Sequence, residues 1–170
     1  MQVLLEAADT GNERAIKSAL AGGADVATAG PRGRNALQLA ASKGHVHAIF
    51  ALVLAGADPN AGQQGEPDTS PLTLAACKGQ HQAVQALLAA GALLETEALE
   101  GAARIKQLSI RRTLLAAGGQ PSPDCLCAAA EEDDLSMVQL LVEAGVAVGR
   151  CGAVALAAEV GNVAMVELLL

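Results

Sequence analysis

The chain has 170 residues, 52% of them hydrophobic but only one of them aromatic, Phe50; Ala, Leu and Val must therefore build the core that a chain of this length is able to bury. Small apolar residues suit helices packed side by side and argue against a compact β-sandwich, which draws on aromatic and β-branched residues. The net charge of −7 is confined to one end: residues 1–112 hold ten basic and ten acidic groups, while residues 113–170 hold Arg150 and eight acids, which argues against a nucleic-acid domain with a basic, aromatic-bearing face.

The longest clean apolar run, "AIFALVLAGA", falls well short of the roughly 18 residues of a membrane span. The N-terminal "MQVLLEAADTGNER" has no basic region ahead of an apolar core, so a secretory signal is not expected. Cys77, Cys125, Cys127 and Cys151 follow no disulfide or zinc spacing, and they read as structural thiols of a reducing, intracellular and cytoplasmic protein. Cys125 and Cys127 lie two apart on an expected helix, about 200° around its axis, and so point to opposite sides.

Along the chain an Ala-Ala pair is followed fifteen residues later by Gly, five times in series. The pairs end at Ala8, Ala41, Ala76, Ala103 and Ala130, and the glycines are Gly23, Gly56, Gly91, Gly118 and Gly145. A sixth pair, Ala157-Ala158, opens a copy that Leu170 cuts off. Paired alanines let neighbouring helices approach closely. A glycine three residues on (Gly11, Gly44, Gly79, Gly161) permits the left-handed backbone of a tight turn. A second helix follows with apolar residues at helical spacing, as in Val84, Leu87 and Leu88. The predicted helix pairs are 2–9 and 12–21, 36–42 and 46–55, 71–77 and 81–90, then 98–104 and 108–117, 125–131 and 135–144, 153–159 and 163–170. No pair buries its stripe alone, so the units must stack into a solenoid.

"NALQLAASKGHVHAIFALVLAGADPNA" and "SPLTLAACKGQHQAVQALLAAGA" resemble ankyrin repeats, whose pattern runs T-P-L-H-x-A-A, G-H, L-L, G-A-D-V-N. Residues 2–26 fit as a first copy, and the likeness weakens from repeat four. The implied fold is all-α: one domain, 1–170, an ankyrin-type solenoid of paired antiparallel helices in six repeats (1–27, 28–61, 62–94, 95–120, 121–148 and an incomplete 149–170). The family's first-helix histidine is replaced by Gln38 and Thr73, which puts its inter-loop hydrogen bonds in doubt. From closing glycine to next Ala-Ala pair the connectors run seventeen, nineteen, eleven, eleven and twelve residues. β-Hairpin fingers are therefore expected only in the first two.

The resemblance implies a non-catalytic protein–protein interaction module that binds through finger tips and the groove lined by the first helices. The alternative is a regulatory or substrate-targeting arm of a larger multidomain protein. Finger candidates are Arg32 and Arg34, then Gln63, Gln64, Glu66, Asp68 and Thr69. Groove candidates, the two residues after each Ala-Ala pair, are Asp9 and Thr10, Ser42 and Lys43, Cys77 and Lys78, Arg104 and Ile105, Glu131 and Glu132, Glu159 and Val160. Lys43, Lys78 and Arg104 form a basic stripe and Glu131, Glu132 and Glu159 an acidic end. Two readings stay open: a partner segment of complementary charge, or solvated charges that only keep an apolar solenoid dissolved.

The expected partner is a protein or peptide, with no nucleic acid, no membrane, no metal and no cofactor. "EEDDL" at 131–135 lacks the ligand spacing of a calcium loop and reads as a solvated turn. His45, His47 and His81 sit at turns without metal spacing, and no catalytic residue set is present. Asn60, in "ADPN", resembles ankyrin asparagines that some organisms hydroxylate, a reading the sequence itself does not favour. The last helix, "NVAMVELLL", would leave an apolar flank open; a longer parent chain, a truncated gene or a dimer partner would each cover it.

"ALEGAARIKQLSIRRTLLAAGG" at 98–119 keeps the repeat interval and so is repeat four. Its departures are Gly101 in place of a packing leucine, Lys106 where the turn wants glycine, and Arg111 at an aliphatic position with its head expected to reach water. It is expected to be the weakest joint of the array.

Overall fold

The computed structural model describes residues 2–30, 33–62, 70–105, 107–121, 123–148 and 152–170, the side chains of 103, 104, 123 and 124 excepted. Twelve helices occur among these residues: α1 (Gln2–Thr10), α2 (Glu13–Ala21), α3 (Ala36–Lys43), α4 (Val46–Leu54), α5 (Pro71–Cys77), α6 (His81–Ala89), α7 (Thr96–Arg104), α8 (Leu108–Ala116), α9 (Pro123–Glu131), α10 (Leu135–Glu143), α11 (Ala153–Val160) and α12 (Val163–Leu169). Each expected helix is present with its ends within two residues. The chain divides into two compact units, Met1–Thr113 and Leu114–Leu170. The border falls inside α8, the second helix of repeat four.

In the first unit the first helices form one row, α1 on α3, α3 on α5 and α5 on α7, and the second helices another, α2 on α4 and α4 on α6. The alanine pairs make this spacing possible. Ala8, Ala40, Ala41, Ala75, Ala76 and Ala102 are wholly buried, where longer side chains would hold the helices apart. Ile16, Ile49 and Val84 repeat at one register of the second helices, all buried. Arg111 holds the same register in repeat four and is only 1% exposed. The expectation that its head reaches water is therefore corrected: the whole side chain is enclosed, at the place where repeats one, two, three and five bury Ile16, Ile49, Val84 and Val138.

In the second unit α9 packs on α10 and α11, and α12 on α10 and α11. Leu126, Ala129, Ala130, Val138, Leu141, Ala157 and Met165 fill its core. Cys125 is buried and Cys127 half-buried, in keeping with their opposed placement on α9.

The turns follow from their residues. Gly11, Gly44, Gly79 and Gly161 have φ of +70°, +79°, +73° and +80°, the left-handed region a side chain disfavours. At the corresponding place in repeat five stands Asp133, with φ of +56°, the one non-glycine residue of positive φ among those described. The residue after each turn then starts the second helix. Asn12, Asp134 and Asn162 accept the amide N–H three residues on, at 3.0, 3.0 and 2.9 Å. His45 and Gln80 make no such cap and pack back onto the preceding turn instead. A Cβ on Gly11 would lie 2.6 Å from His45 Nδ1, and one on Gly44 would overlap the Gln80 amide. Thus the turn glycines serve twice, once for backbone and once for the neighbour seated on them.

The connectors are tied to one another as well. Ala29 and Asn35 form an isolated antiparallel bridge in the first, and Gly30 N–H donates to Arg34 O at 2.9 Å; residues 31–32 and 63–69, the expected finger tips, lie outside the described residues. Thr73, in the place of the family's histidine, donates to Glu95 of the next connector at 3.2 Å. A bond from the first turn of α5 to the next connector is therefore present despite the replacement, carried by a hydroxyl and a carboxylate.

Candidate functional site

Ala-Ala pairs bring the ends of α1, α3 and α5 side by side, so the two residues after each pair form a row along the first unit. Lys43 and Lys78 both stand exposed there. Lys43 Nζ lies 3.9 Å from Asp9 Oδ1 on the preceding repeat, with both side chains about half exposed. A contact of that length and exposure is worth at most about 1 kcal/mol and is screened by salt, so it leaves Lys43 open to a stronger anion. Asp9 also accepts from the His45 ring through its backbone oxygen, Nε2 lying at 3.0 Å. That bond places the proton on Nε2.

The remaining candidates divide by burial. Thr10 is exposed and its hydroxyl donates to Glu6 O at 2.8 Å. Ser42 is 9% exposed and donates to Leu39 O at 2.9 Å, so it belongs to the helix wall and offers a partner little. Cys77 is half-buried, its thiol seated where a Gly101 side chain would be. Ile105 is half-buried and its Cδ1 lies 3.5 Å from the Cβ position of Gly79. The Arg104 side chain lies outside the described residues.

Of the connector candidates, Arg34 is half-buried, while Arg32, Gln63, Gln64, Glu66, Asp68 and Thr69 lie outside the described residues, as does Lys106. In the second unit Glu131, Glu159 and Val160 are exposed and Glu132 is half-buried. The "EEDDL" stretch is a turn: Asp134 caps α10 and Asp133 accepts from Asn162 Nδ2 at 2.6 Å. Among the described residues no group of three or more His, Cys, Asp or Glu is placed to hold a metal ion, and no helix is long and apolar enough to cross a membrane.

Sequence reasoning missed two features. Asp9, a groove position by its spacing, is also the counter-charge of Lys43, which only the stacking of α1 on α3 shows. Asn60 is a connector tie, its Oδ1 accepting Leu93 N–H at 2.6 Å and its Nδ2 lying 3.5 Å from Gly91 O. The "ADPN" stretch carried the signal, since Asp58 accepts the Asn60 amide at 2.9 Å and aims the side chain at the next connector.

Comparison with known proteins bears on the fold. The model of the family described as ankyrin repeats, in three copies, matches residues 4–98. The structure is similar to the crystal structure of the human ASB11 ankyrin repeat domain, with a TM-score of 0.78, 27% sequence identity, and coverage of 98% of this chain and 81% of that one. No curated protein matches the sequence.

Proposed function

The chain belongs to the ankyrin-repeat family, whose members in general bind other proteins, and from that premise we propose a non-catalytic module that holds an acidic partner segment along the first-helix ends of the first unit. The observation that carries the reading is the pair Lys43 and Lys78, exposed at equivalent positions of neighbouring repeats. A segment with two carboxylates spaced to meet them would displace Asp9 from Lys43 at little cost. Such contacts raise the association rate and fix orientation more than they add affinity. The connectors, with Arg34, are the second contact region, and Glu131, Glu132 and Glu159 form a separate acidic surface on the second unit. The cysteines follow no disulfide spacing, which suits a module of the reducing cytoplasm.

Charge reversal tests the proposal. Lys43→Glu with Lys78→Glu should weaken binding to an isolated partner at least tenfold and flatten its salt dependence, while Arg14→Glu on the exposed face of α2 should change neither. Equal affinity of the double variant and the wild type would leave the groove without a role.

A further inference from the structure

Between the first two connectors of the first unit lies a cavity of 160 Å³ that the groove does not use. Among the described residues, Val26, Ala29, Ala57 and Ala61 give it apolar walls, Gln38 is a polar wall, and Asp58 is the one charged side chain that lines it. Its size decides the class of ligand. Pockets for small molecules run to roughly 300–1,000 Å³, so this one takes a single side chain.

Its polarity decides which. Asn35 and Gln38 already use their side-chain oxygens on each other's backbone N–H, at 2.9 and 2.8 Å. Asp58 is exposed and accepts the Asn60 N–H through Oδ1, which fixes the carboxylate while its other oxygen makes no hydrogen bond among the described residues. Asp25 repeats the arrangement one connector earlier, its Oδ1 accepting Ala27 N–H at 2.9 Å, directly beside the lining residues Val26 and Ala27. Arg34, the neighbouring cation, does not line the cavity. An apolar well with an anionic rim matches a long aliphatic stem that ends in a cation.

We propose that this cavity receives an Arg or Lys side chain of the partner protein, its stem against Val26, Ala29, Ala57 and Ala61 and its head on the Asp58 carboxylate. The proposal rests on the interaction-module reading for the existence of a partner, yet the cavity itself is testable without one. Amide shifts of ¹⁵N-labelled protein are followed during titration with N-acetyl-arginine amide, N-acetyl-lysine amide and the neutral N-acetyl-citrulline amide. Saturable shifts at Val26, Ala29, Ala57 and Ala61 are expected with the two cations and not with citrulline. Asp58→Asn should weaken the cationic probes about tenfold, the effect of losing one charge-assisted contact, and Ala61→Leu should fill the cavity and abolish the shifts. Equal response to citrulline, an unaltered response in Asp58→Asn, or no saturable shift at these residues would overturn the proposal. Probe binding that persists in Lys43→Glu with Lys78→Glu supports it, and separates its fate from that of the groove.

Discussion

The thiol of Cys77 occupies the space that a side chain on Gly101 would fill. Repeat four carries glycine where repeats two and three carry Leu39 and Leu74, and the loss is matched by a sulfur from the preceding repeat. Gly101→Ala should therefore destabilise the protein by about 1 kcal/mol, overpacking of roughly 1–3 kcal/mol offset in part by alanine's helix propensity. Cys77→Ala combined with Gly101→Ala should recover most of that loss. Urea unfolding of the two single variants and the double variant gives the coupling; strict additivity would contradict the contact.

Gly11 and Gly23 have similar backbones, φ of +70° and +85°, but different surroundings. A Cβ on Gly23 meets nothing within 4 Å, whereas on Gly11 it meets the His45 ring. Gly23→Ala should cost about 1 kcal/mol from backbone strain alone, and Gly11→Ala about 2–3 kcal/mol, with the imidazole displaced. Equal costs in denaturant unfolding would mean that the turns of repeats one and two do not touch.

Asp133 bears left-handed strain and is tied to Asn162. Replacement by glycine relieves the strain and removes the bond, so Asp133→Gly should stay within about 0.5 kcal/mol of the wild type. Asp133→Ala keeps the strain and loses the bond, and should cost about 1–2 kcal/mol. A thermal unfolding series that ranks alanine at or above glycine would contradict this account of the turn.

Asn60→Ala removes the acceptor of the Leu93 amide. Because the bond is exposed, the loss should be only about 1 kcal/mol, but Leu93 should exchange its amide hydrogen markedly faster. Unchanged exchange at Leu93 would show that the connectors are not joined through this side chain.

Repeat four should exchange faster than repeat three. Arg111 is enclosed where Ile16, Ile49 and Val84 sit in repeats one to three, and taking a guanidinium out of water costs several kcal/mol before any compensation. The border between the two compact units also lies in α8. Amides of α7 and α8 as protected as those of α5 and α6 would remove this weak point.

The helices were legible because their punctuation is local. Ala-Ala, the turn glycine and the closing glycine each act within a few residues, so α1 to α12 could be placed from spacing alone. What the sequence hid depends on which repeat lies next to which. The partner of Gly101 is Cys77 of the preceding repeat, and the charge beside Lys43 in the basic stripe is Asp9, which comes near only because α1 lies beside α3. Thr73 looked like a lost histidine, but its bond goes to Glu95, twenty-two residues along the chain. Arg111 shows the opposite case: its register was readable, and the degree of its enclosure was not. The cavity by Asp58 needs two connectors side by side, which no window of sequence contains.

The proposed use of the groove is tested most directly by hydrogen exchange of the protein with and without its isolated partner. New protection is expected at residues 9–10, 42–43 and 77–78 and in the first two connectors, with the second helices α2, α4 and α6 unchanged. Protection confined to those second helices, with none at the ends of α1, α3 and α5, would contradict that use of the groove.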